Sequence, residues 1–203
     1  MSKRFLYAVV GGVVLLGAAA CLKPGADADR VARARVERGQ YLVTIGGCND
    51  CHTPLKIGPK GPEPDVARRL SGHPETFSIA NGTTTASSQW LMSMAASGTA
   101  FSGPWGVSFA ANLTPDQNTG LGIWTEEMFV KAVRTGRHMG VSRPILPPMP
   151  WPNVGAMSDD DVKAVYAYLR SIPPVHNRVP DPLPPASEAV ASNLTAPATG
   201  AAQ

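Results

Sequence analysis

Three observations predict a helical domain threaded by long irregular loops. Well-capped helical patterns occupy residues 125–136 and 158–172, and a looser one ends at Gly46-Gly47. Between them, residues 53–124 show little sustained periodicity and are broken by proline and glycine. A structureless stretch of that length inside a compact domain needs something else to organise it, and a large cofactor would serve.

The elements follow in chain order. Lys3 and Arg4 begin a targeting segment, the run FLYAVVGGVVLLGAAA over 5–20 is uncharged, and Ala18, Ala19 and Ala20 fit a small-residue cleavage site. Sixteen residues make ~24 Å of helix, short of the ~30 Å hydrocarbon core, so export with cleavage of 1–20 is the first expectation. Cys21 follows at once. AAAC loosely resembles a bacterial lipobox, with Ala18 where a leucine-like residue is usual, so lipidation of Cys21 and an uncleaved N-terminal anchor stand beside cleavage. All three place the functional part outside the cytoplasm, in the periplasm, soluble or membrane-anchored.

Residues 21–30 read as a polar linker, and 31–175 as one domain. Its first helix runs from about Asp29 to Ile45, with Val31, Ala34, Leu42 and Ile45 as a loose apolar face. TPLKIGPKGPEP over 53–64 reads as a loop. Short strands or turns fit near Phe77–Ile79 and Val107–Ala110. In TEEMFVKAVRTGRH, Thr125 is the N-cap, Glu126 and Glu127 sit at the positive end of the helix dipole, and Gly136 is the stop. Met128, Phe129, Ala132 and Val133 form its stripe. Ser158 caps the last helix, three aspartates fill its first turn, Val162, Val165, Tyr166 and Leu169 share a face, and Pro173-Pro174 end it. Residues 176–203 are a proline- and alanine-rich tail, extended or disordered. A formal net charge of +3, two units of it in Lys3 and Arg4, gives no footprint for nucleic acid.

The chemistry concentrates in CNDCH, residues 48–52. On a helix Cys48, Cys51 and His52 fall within an arc of ~100° and address one object. C-x-x-C-H reads as a c-type haem attachment site, with each thiol joined to a porphyrin vinyl group and the imidazole on the iron. Three other readings are weaker. A Cys48–Cys51 disulfide is sterically tight; a thioredoxin-like pair lacks its βαβ context; a zinc site lacks a second paired motif.

Haem iron then needs a sixth ligand. In ILPPMPWP, 145–152, prolines flank Met149 and predict an extended, stiff segment that aims its thioether. A soft, uncharged sulfur favours ferrous iron. His73 and His138 are the alternatives, with His176 behind them. Met139 and Met157 lie in no such frame, and Met92 and Met94 fit a short helix.

CNDCH, then LPPMPW, then MSDDDVKAVYAYLRSIPP resembles the class I c-type cytochromes. More closely, with NLTPDQNTGLGIWTEEMFVKAVRTGRH between them, the set is similar to the haem domains of cytochrome c subunits of membrane-bound bacterial alcohol, aldehyde and gluconate dehydrogenases. The resemblance covers roughly 36–175. It implies an all-α, cytochrome c-like fold, with N- and C-terminal helices crossed around one covalently bound haem c. It implies Cys48 and Cys51 in thioethers, His52 as proximal ligand and Met149 as distal ligand. Trp105, Asn112 and Trp124 are candidate donors to the haem propionates, and Pro54 or Gly58 a candidate carbonyl for the second nitrogen of His52. Those subunits usually carry three haem motifs and this chain has one, which implies a stand-alone carrier. Met149 lies 97 positions after His52, long for a minimal class I cytochrome.

The function so implied is one-electron transfer between a dehydrogenase or other respiratory donor and a terminal acceptor. The protein is then a carrier and not an enzyme, and its partners are redox proteins, a dehydrogenase or an oxidase. A gas sensor or peroxidase-like enzyme with a labile sixth ligand is the alternative.

Overall fold

The computed structural model describes residues 24–80 and 90–185. The targeting segment expected over 1–20, Cys21 and the last part of the tail lie outside them. Two helices, the first and the last, pack against each other to make the main core. α1 runs Pro24–Ile45 and α5 Asp159–Ser171. α5 starts where Ser158 Oγ accepts the Asp161 amide at 3.2 Å, with three aspartates at the dipole's positive end. Val162, Val165, Tyr168 and Leu169 turn inward onto Leu42 and Val43 of α1. The helices come closest at Gly39, where a β-carbon would lie 1.9 Å from the Ala164 carbonyl oxygen. An ion pair from Arg38 to Asp161 (2.8 Å) lies on the exposed edge of this contact, and Arg35 of α1 pairs with Glu126, outside it.

α1 begins earlier than the expected Asp29. Its described residues from Asp27 to Ala34 are all exposed. Val31 and Ile45, expected on an apolar face, are 64% and 61% exposed. Leu42 is buried as expected, but it shares the inward face with Gly39 and Val43, and a glycine contact leaves only a short apolar stripe to read.

α3, Glu126–Thr135, follows its sequence pattern. Thr125 Oγ1 accepts the Met128 amide at 3.2 Å, Gly136 closes the helix at φ 65°, and Phe129, Ala132 and Val133 are buried. α4, Trp151–Gly155, is an extra short helix whose Trp151 ring lies over Gly136. Among the described residues no helix is long and apolar enough to cross a membrane.

The all-α expectation is wrong. β1 (Leu55–Gly58) and β2 (Gly61–Pro64) form an antiparallel hairpin inside the stretch read as a loop. Pro62 and Pro64 misled the reading, yet β2 is an edge strand whose outward N–H groups have no ladder partner, so proline is tolerated there. β3 (Ser93–Met94), β4 (Ala100–Gly103) and β5 (Gly106–Phe109) form a second antiparallel sheet in the order β3-β4-β5. Met94 therefore lies on a strand and not on the expected short helix. Phe77–Ile79 forms no strand.

The first residues of the tail are packed. Leu183 exchanges two backbone hydrogen bonds with Val107, each 2.9 Å, on the free edge of β5. Asn177 is fully buried. Its amide nitrogen donates to the carbonyls of Ser71 (2.7 Å) and His73 (2.8 Å), and its oxygen accepts from Arg68 (2.9 Å) and the Glu75 amide (3.0 Å).

Candidate functional site

Gly47, at φ 64°, turns the chain out of α1 and into α2, the single turn Cys48–His52. A side chain at Gly47 would meet the Asp50 carboxylate at 2.9 Å, so position as well as conformation favours glycine. Cys48 and Cys51 are half-buried and not joined to each other. Burial pushes both thiols up, and the Asp50 carboxylate adds to it. A redox-active thiol pair needs the opposite shift, toward thiolate at neutral pH.

His52 is 7% exposed. Its Nδ1 lies 2.8 Å from the Ala111 carbonyl oxygen, so Nδ1 carries the proton and donates it there. That leaves the lone pair on Nε2, which has no hydrogen-bond partner among the described residues. Nε2 is also not sealed off, since the one fully buried unpaired side-chain atom among those residues is Ser71 Oγ. Burial holds the imidazole pKa below its usual value, against the opposing pull of Ala111. A neutral ring oriented through Nδ1 with Nε2 open is the state in which histidine ligates a metal. The carbonyl expected from Pro54 or Gly58 is supplied by Ala111, while Pro54 accepts from the Asp65 amide at 2.8 Å.

Residues 68–73 cover this turn. Gly72 donates to the His52 carbonyl (2.8 Å), Leu70 to Thr53 Oγ1 (3.0 Å), and Arg69 Nε to Asn49 Oδ1 (3.0 Å). Leu70 is fully buried at φ 59°, a left-handed conformation that bulky residues rarely adopt.

Met149 is half-buried. Its segment is not extended throughout, because the chain turns at Pro147-Pro148, a cis peptide. Ser108 Oγ donates to the Pro147 carbonyl at 2.5 Å. The loop bearing Met149 and the imidazole of His52 are thus tied to one stretch of chain. Ser108 holds the first and Ala111, three positions on, holds the second, ~10 Å apart at ~3.3 Å per extended residue.

The other histidines are engaged differently. His73 is fully buried, with Nδ1 2.9 Å from Thr99 Oγ1 and Nε2 donating to the Phe77 carbonyl at 2.8 Å, so both nitrogens are used. His138 stands edge-on to Trp124 at 5.1 Å and lies 3.4 Å from Ser142 Oγ. His176 is exposed beside Asp116. Met157 packs against the main core.

Asn112 is committed elsewhere than the expected propionate. Its amide donates to Val175 (2.9 Å), Thr119 and Asn177, and its oxygen accepts from Thr114, which fastens the chain after α5 to the 112–119 loop. Trp105 Nε1 donates to Ser108 Oγ at 3.3 Å. Sequence reading missed Ala111, Ser108 and Asn177. A serine within the segment Val107–Ala110, expected as a strand or turn, was the one local sign for Ser108, and nothing local marked the other two.

No family model matches the chain. It is 30% identical over 159 residues to the alcohol dehydrogenase (quinone) cytochrome c subunit of Gluconobacter oxydans (strain 621H), covering 76% of this chain and 25% of that protein. It is 30% identical over 148 residues to the gluconate 2-dehydrogenase cytochrome c subunit of Pantoea cypripedii, covering 72% and 25%. It is 29% identical over 137 residues to the fructose dehydrogenase cytochrome subunit of Gluconobacter japonicus, covering 68% and 21%. The chain spans about a quarter of the length of these curated relatives. The shared region is a cytochrome c-like domain.

Proposed function

We propose that this cytochrome c-like domain binds one haem c covalently and carries single electrons, outside the cytoplasm, between a dehydrogenase and a further acceptor. The observation that carries the reading is His52, buried and neutral, fixed through Nδ1 by Ala111, with Nε2 open and two unbridged thiols on the same turn. These residues fit the group. Cys48 and Cys51 would hold it through thioethers, His52 would be the proximal ligand and Met149 the distal one. Haem, when bound, supplies the ferric–ferrous couple, and a thioether opposite an imidazole raises its potential.

The protein's own part is positioning and exclusion of water. Ala111 fixes the tautomer and plane of the imidazole. The covering segment 68–73 helps to bury His52 and Thr53, and Ser108 restrains the Met149 loop. Residues 1–20 serve for export or anchoring, and 31–175 form the haem domain with the start of the tail packed onto it. A dehydrogenase as donor is supported by the relatives, which are subunits of alcohol, gluconate and fructose dehydrogenases.

The test is chemical. The full chain is expressed with a haem-attachment system, purified, denatured and extracted with acidified organic solvent. Red pigment is expected to stay with the protein, and each of Cys48→Ala and Cys51→Ala to weaken that retention. Colour that leaves with the solvent ends the reading.

A further inference from the structure

We infer that Ser108 is a positioning residue for the distal ligand, setting how firmly Met149 is held. The inference rests on the haem reading above and extends it to a residue that does not touch the iron. Ser108 is 7% exposed, so its hydroxyl must find partners inside the protein. Two carbonyl oxygens lie within reach of its single proton, Pro147 at 2.5 Å and Phe101 at 3.4 Å, and the nearer one takes it. The indole N–H of Trp105 donates to the Ser108 hydroxyl oxygen itself, at 3.3 Å.

The loop needs such a tether. Pro147, Pro148 and Pro150 have no N–H to offer, which leaves only the Leu146 and Met149 amides, and neither makes a backbone hydrogen bond among the described residues. Ile145 is fixed to Gly136 at 2.7 Å, and Trp151 donates only locally, to Met149. Among the described residues the Ser108 bond is the one hydrogen bond from another element to residues 146–149. Because the chain after β5 continues to Ala111, which holds His52, the tether ties the Met149 loop to the stretch that orients the imidazole.

The readout is ligand exchange. In Ser108→Ala the ferric holoprotein is expected to bind added cyanide about fivefold faster, because Met149 is off the iron about fivefold more of the time. That ratio is about 1 kcal/mol, one net hydrogen bond, at ~1.4 kcal/mol per tenfold. The midpoint potential is expected to fall in the same variant. Ser108→Thr keeps the hydroxyl and is expected to return toward wild type. Trp105→Phe, which leaves Ser108 in place, is expected to give a smaller acceleration and serves if the alanine variant does not fold. Met149→Ala separates the two claims. If it retains the long-wavelength thioether-to-iron band, the distal assignment itself is wrong. If the band is lost there, while Ser108→Ala and Trp105→Phe bind cyanide at the wild-type rate, the role given to Ser108 is overturned and the haem reading stands. A loss of stability without faster exchange also overturns it.

Discussion

Gly39→Ala sets two effects of opposite sign against each other. In an exposed helix interior this substitution stabilises by ~0.8–1 kcal/mol. Here the added carbon would lie 1.9 Å from the Ala164 oxygen, 2.6 Å from its carbonyl carbon and 2.8 Å from Tyr168 Cβ. The first two are backbone atoms of α5 and cannot rotate away. Reaching an ordinary ~3.4–3.5 Å separation requires α1 and α5 to move apart by roughly 1.5 Å. A gap of 0.5–1 Å already forfeits about a quarter to a half of a dispersion contact, so Leu42, Val43, Val162 and Leu169 all lose packing. Overpacking of this kind costs ~1–3 kcal/mol, and backbone obstruction puts the site at the top of that range or above it. After the helix-propensity gain is subtracted, a net loss of ~2–3 kcal/mol is expected. Urea unfolding followed by helical circular dichroism measures it, as a lower midpoint at unchanged slope. Ala34→Gly, on an exposed turn, is the comparison and should cost no more than ~1 kcal/mol. A Gly39→Ala midpoint equal to or above wild type would refute the close helix contact.

Asn177→Ala strands two carbonyls, an amide and a guanidinium, and is expected to destabilise by ~3 kcal/mol and to expose the tail to limited proteolysis; an unchanged unfolding midpoint and digestion pattern contradict this. Thr125→Ala removes the α3 cap and should cost ~1 kcal/mol by the same unfolding assay. Burial, and to a lesser degree the nearby Arg68 charge, hold the His73 pKa below its usual value, against the pull of the Phe77 carbonyl. The unfolded chain therefore takes up a proton at a pH where the folded one does not. Stability is expected to fall as pH drops through ~6.5, by at most ~1.4 kcal/mol per pH unit from this group. His73→Gln should flatten that slope in a pH series of urea midpoints, and identical slopes would show that His73 takes no part.

What could be read from the sequence was what short-range chemistry decides. Thr125, Gly136 and Ser158 mark helix ends through bonds to residues three or four positions away, and α3 and α5 follow them. The CNDCH turn is equally local. The partners that complete the site are not, since His52 meets Ala111 59 positions away and Ser108 meets Pro147 39 away. The long central stretch needs something to organise it, for which a large cofactor would serve. Two small antiparallel sheets and the Asn112–Asn177 polar bracket order much of it, and both arise from pairings that proline- and glycine-rich text conceals. α1 was misjudged because its inward face depends on a missing side chain, and periodicity counts only those that are present.

The bare first turns of α1 act as a spar. From Pro24 to Arg35 the helix advances ~16 Å before Arg35 meets Glu126 on the globule. Whatever lies upstream is therefore kept at arm's length from the globule, at a spacing fixed by helix geometry and not by slack in a tether. Adding or removing a turn there would move the globule in ~5.4 Å steps and leave its interior untouched.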